Sequence, residues 1–157
     1  MTDLLGIYLS DHFAGATGGV SLIRRIAESH DGEARTELTR VAHDIEDDRT
    51  ALREIMRRVG AEPRHYKAAG AWVGEKLARL KSNGRLFRRS GLSSVLELEA
   101  MQLGVEGKAA LWLALRLLAD NDDRLDQAAL DELRARAESQ IAILERLRCD
   151  EIRRQFA

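Results

Sequence analysis

The chain has 157 residues, 45% hydrophobic and 32% charged, with a formal net charge of −1. That length is most simply one domain with room for a real core. The near-zero charge gives the molecule no bulk pull on nucleic acid, and a single cysteine, Cys149, excludes an internal disulfide or a multi-cysteine metal knot.

No basic region followed by an apolar run opens the chain, and no uncharged stretch reaches the length of a membrane span. The cytoplasm is therefore the expected compartment. One proline and an excess of Ala, Leu, Arg and Glu give an intrinsic preference for helix throughout, so the expected fold class is all-α.

The first helical segment runs from about Asp3 to Ser29, with Leu5, Leu9, His12, Ala16, Val20, Ile23 and Ala27 at helical spacing. Gly15, Gly18 and Gly19 weaken it intrinsically and permit a close neighbour. His30, Asp31 and Gly32 form a turn. The second helix runs from about Glu33 to Val59 on a stripe of Leu38, Val41, Ile45, Leu52, Ile55 and Val59, and Gly60 stops it. Pro63 opens a shorter helix to about Ser82, with Ala69, Trp72, Val73, Leu77 and Leu80 on one side; Arg85 to Gly91 follow as a linker. The next long helix starts near Ser94, where Ser94 and Glu97 have capping-box spacing. It runs to about Ala119 through Leu96, Glu99, Leu103, Glu106, Ala110, Leu113 and Leu117. After an acidic turn from Asp120, Asp126 is placed as an N-cap, Leu125 and Leu130 as a hydrophobic staple, and Leu133, Ala137, Ile141, Leu144 and Leu147 as the last stripe.

Four long helices and one shorter helix of about twenty residues, some 30 Å long, give two helical hairpins joined by a long crossover. In this architecture, and in the carboxylates on its inner faces, the chain resembles the ferritin-like superfamily over nearly its whole length. Metal-loaded members carry one Glu on the first helix, E-x-x-H on the second, one Glu on the third and E-x-x-H on the fourth. Here His12 stands where the first Glu belongs, Asp48 is the inward acid of the second helix, Glu99 and Glu106 lie on the third, and the fourth has Gln140 near the core side, with Glu138 off that face and Ile141 three residues after it where the His belongs. The resemblance implies a four-helix bundle without a complete di-iron centre, and so without iron oxidase or storage chemistry.

His12, Asp48, Glu106 and Gln140 fall at ~14, ~17, ~17 and ~21 Å along their helices, one polar layer within a helical turn. If the third long helix runs the other way, Glu99 replaces Glu106. One imidazole and two carboxylates suit a single divalent ion such as Zn, Mn or Fe, with Gln140 as a weak or outer ligand. The simpler account is a hydrogen-bonded plug, with a cationic His12 between Asp48 and Glu106. Glu99 is explained by partial exposure or by an arginine such as Arg49. His30 and His65 are placed at helix ends, as caps or exposed side chains.

Residues 64–89 carry eight cations against Glu75, a net +7, leaving −8 for the remainder. Lys76, Arg79, Arg85, Arg88 and Arg89 make a surface that suits an acidic protein partner or an anionic membrane. The simpler account is an amphipathic helix that covers the bundle and leaves its cations in water. Gly70 and Gly74 form G-x-x-x-G, a close-packing signature compatible with a homodimer. No aromatic–cation platform for nucleic acid, calcium loop, hydrolase triad or phosphate-binding glycine loop is present. The expectation is a non-catalytic binding or assembly protein, with a mononuclear metal protein and an anion- or membrane-surface module as the alternatives.

Overall fold

A computed structural model of the chain describes residues 4–61 and 91–157. Among these residues all regular structure is helical: α1 (Leu4–Glu28), α2 (Gly32–Val59), α3 (Gly91–Leu118) and α4 (Gln127–Phe156). The helix read from Pro63 to Ser82, its G-x-x-x-G pair and the basic cluster lie outside the described residues.

The helix ends follow their local chemistry. Gly60 adopts the left-handed conformation (φ 75°), its N–H donates to Arg57 O, and Ala61 N–H donates to Met56 O, closing α2 with a Schellman-type turn. Asp126 caps α4 by accepting from Ala129 N–H at 3.1 Å, with Leu125 and Leu130 both buried beside it. The expected capping box at Ser94 is not formed. Ser94 already lies inside α3, and Glu97 is buried and reaches across to Arg25 at 3.2 Å. Residues 119–126 connect α3 to α4; Arg124 braces this turn by bonding Asp122 and donating to Val59 O at the end of α2.

Cross-helix pairs fix the orientation. Gly19 lies beside Met101 and Arg25 beside Glu97, so α1 and α3 are antiparallel. Arg116 with Asp131 and Arg148 with Glu99 make α3 and α4 antiparallel, and Glu37 with Arg146 does the same for α2 and α4. With the α1–α2 hairpin, every neighbouring pair is antiparallel, and α2 and α3 face each other across the bundle diagonal. Val59 and Gly91 consequently lie at opposite ends of the bundle. No helix among the described residues is long and apolar enough to cross a membrane.

The core is a continuous apolar cluster drawn from all four helices, including Leu9, Ile23, Leu38, Met56, Trp112 and Leu144. The stripes read for α1, α2 and α4 are the buried ones in outline. The stripe read for α3 is not. Val95, Leu98, Met101, Val105, Trp112 and Leu115 face inward, while Leu103, Glu106, Ala110, Leu113 and Leu117 are exposed. α3 has two apolar faces, and periodicity alone cannot say which one meets the core. Tertiary packing buried the face that carries Trp112, the largest fully buried side chain.

Candidate functional site

The polar centre of the bundle is a closed triangle of hydrogen bonds. Asp48 on α2 and Gln140 on α4 are each 1% exposed. Lys108 on α3 donates from Nζ to Asp48 Oδ2 and to Gln140 Oε1 (2.5 Å), and Gln140 Nε2 donates to the same Asp48 Oδ2 at 3.1 Å. Arg136, one turn before Gln140, sets its guanidinium 2.5 Å from Asp48 Oδ1, an ion pair without the alignment of a hydrogen bond. A buried carboxylate demands such company, since an unpaired one in an apolar interior is costly. Burial pushes the Lys108 ammonium below the ordinary lysine value, while Asp48 pulls it back up.

This triangle borders a cavity of about 590 Å³ between α1, α2 and α3. Its walls are mainly apolar, with Ile7, Ile45, Leu52, Val105 and Leu111 among them. The cavity exists because small residues face it. A Cβ added at Gly15, Gly104 or Gly107 would meet nothing within 4 Å. Gly15 therefore does not serve the close helix approach expected of it. His12, half-buried, lines the same cavity and meets Tyr8 edge-on, ring centroids 4.6 Å apart. Burial lowers the His12 pKa, opposed by the carboxylate of Asp11. Trp112 also lines the cavity, and its buried indole N–H has no hydrogen-bond partner.

The structure thus brings together Asp48 and Gln140, with His12 on the wall of the adjoining cavity. It does not bring Glu106 or Glu99 to them. Glu106 is exposed and accepts from Gln102 at 3.3 Å; Glu99 is only half-buried and pairs with Arg148 at 3.3 Å rather than with Arg49. Both errors follow from the inverted face of α3. Among the described residues no cluster of three or more His, Cys, Asp and Glu side chains is arranged to hold a metal ion. His30, expected as a cap or an exposed side chain, is buried; its Nδ1 lies 2.8 Å from Ile26 O and caps α1.

Lys108, Arg136 and Trp112 are the site residues that the sequence reading missed. The available signal was the spacing Met101, Val105, Lys108, Trp112, a second helical stripe with one cation in it. Lys76, Arg79, Arg85, Arg88 and Arg89 lie outside the described residues. No protein-family model, curated protein or solved structure matches the chain.

Proposed function

We propose that the chain is a non-catalytic binding protein on a ferritin-like bundle, taking a small molecule with an apolar body and one oxygen acceptor into the α1–α2–α3 cavity. Two antiparallel hairpins whose joining ends lie at opposite ends of the bundle support the ferritin-like reading, because a crossover is the connection such a bundle needs. The observation that carries the ligand is the cavity itself. Its volume of about 590 Å³ falls in the range of small-molecule sites, and its apolar walls converge on few polar groups. The unpaired Trp112 indole N–H and the ammonium of Lys108, which has a third N–H beyond those given to Asp48 and Gln140, are donors awaiting an acceptor. Lys108 and Arg136 also supply the positive charge that Asp48 would otherwise take from a metal.

The test is a thermal-shift and tryptophan-fluorescence series with medium-chain ketones, alcohols and carboxylic acids. At least one class should raise Tm, bind less tightly to Trp112→Phe, and bind less tightly to Gly104→Leu, which narrows the cavity at its edge. Equal binding by Gly104→Leu, or no binding in the whole series, would overturn the reading.

A second reading is a mononuclear divalent metal at Asp48 and His12, which line the same cavity. It requires Lys108 to yield its place. A Tm rise on adding Zn, Mn or Fe that grows in Lys108→Met and vanishes in Asp48→Asn would establish it over the first.

A further inference from the structure

The outer face of α3 carries a second stripe, exposed except at the half-buried Leu96 and Glu99. Leu92, Leu96, Glu99, Leu103, Glu106, Ala110, Leu113 and Leu117 alternate in steps of four and three residues along the helix. This is the spacing of a helix-pairing seam. Leu92 is 53% exposed, Leu103 51% and Leu117 65%, and Leu113 is exposed as well. A run of exposed leucines this long on one face marks an interaction surface rather than scattered surface apolarity.

The stripe is also palindromic at its outer four positions, where leucine falls on leucine. Reflected about the midpoint between Gly104 and Val105, Leu92 falls on Leu117, Leu96 on Leu113, Glu99 on Ala110, and Leu103 on Glu106. The order of residue types therefore fits a two-fold antiparallel pairing of α3 with itself. The charges choose the same direction. A parallel in-register pair would set Glu99 against Glu99 and Glu106 against Glu106, two like-charge contacts in one seam. The antiparallel pair sets each glutamate against an uncharged residue, where its stem can lie on the apolar side chain and its carboxylate reach water. The flanking positions on one side are Ser93, Ala100, Gly107 and Ala114, all small enough for two helices to approach closely.

We infer that the outer face of α3 is a self-association surface, on which a second copy of this chain docks its own α3 antiparallel about a two-fold axis near Gly104 and Val105. A C2 contact of this kind is self-complementary by construction. A helix of this length presents a seam ~42 Å long and ~10 Å wide. Two copies would bury roughly 800 Å² along it, below the ~1,200 Å² of stable complexes, so the dimer is concentration-dependent. The surface runs past Leu103 and Gly104 at the edge of the cavity but does not depend on the cavity holding a ligand.

Sedimentation velocity on the full chain, from about 1 to about 500 μM, reads this association in the range expected of a seam of that size. Leu113→Glu and Leu96→Lys should each weaken the dimer about tenfold or more. Mixed together, the two variants should associate, because position 96 of one copy faces position 113 of the other; the double variant L96K/L113E should regain self-association for the same reason. Ala110→Lys, on an exposed position, should strengthen the dimer by facing Glu99 of the second copy. A wild-type chain that stays monomeric throughout overturns the inference. So does a dimer whose mixed variants stay apart, which would mean a parallel seam or another face. Monomeric Leu113→Glu with a large fall in Tm would show that the face is covered by the chain's own residues, and overturns it as well.

Discussion

Lys108 on α3 and Asp48 on α2, sixty residues apart in the chain, meet across the bundle diagonal as an ammonium–carboxylate hydrogen bond. The two helices are not neighbours in the ring of four, so this contact, with Gln140 of α4, ties together elements that apolar packing alone brings less close. A buried ion pair is weak evidence for net stability, but removing one member is expensive because the other is left desolvated.

Lys108→Met should therefore cost about 1–3 kcal/mol in chemical denaturation, because Asp48 loses its ammonium but keeps the Arg136 guanidinium. Replacing the whole triangle, Asp48→Leu with Lys108→Met and Gln140→Leu, should recover most or all of that loss, since Arg136 is partly exposed and can turn to water. A triple variant as unstable as the single one would show that packing, not charge, sets the cost.

His12 makes stability pH-dependent. Its folded-state pKa lies below the ordinary 6.5 because burial disfavours the imidazolium, so the unfolded chain takes up the proton first as pH falls. Its contribution is fully present above 6.5 and is lost as pH falls through that value to the folded pKa. Urea unfolding at a series of pH values should show a steeper loss in the wild type than in His12→Gln. Parallel curves would remove His12 as the cause.

The two N-caps should differ. Asp126 accepts from Ala129 N–H, whereas Asp31 makes no side-chain cap bond to α2. Asp126→Ala should cost about 1 kcal/mol and Asp31→Ala a few tenths at most, measured by thermal unfolding.

Glycines that face the cavity are not held by crowding. Gly104→Ala and Gly107→Ala should each stabilise the chain by up to about 1 kcal/mol, since the added methyl meets nothing and helix propensity improves. Gly60→Ala should do the opposite by a similar amount, because the α2 terminus holds a left-handed conformation.

Much of this organisation is legible in the sequence. The stripes of α1, α2 and α4, the Gly60 stop, the Asp126 cap and the inward placement of Asp48 and Gln140 all follow from local spacing and residue type. On α3 the residue that meets Asp48 and Gln140 is Lys108, two residues beyond the expected Glu106, and the difference is one of rotation. Two residues along a helix turn a side chain through ~200°, so reading the wrong apolar face of α3 exchanged a buried cation for an exposed carboxylate.

That single rotation separates what each level of description determined. By itself the sequence determined the helical character of the described residues, the ends of α1 and α2 and the start of α4, and the presence of buried polar groups on two helices, because propensity, capping and period act within a few residues. Only the tertiary structure decided which side of α3 faces the core, that Asp48 is neutralised by Lys108 and Arg136, and that glycines on two helices leave a cavity between them. Those outcomes rest on which helices become neighbours, in what direction, and how side-chain volumes fill the space between them. A helix with two apolar faces carries no local record of which one will be buried.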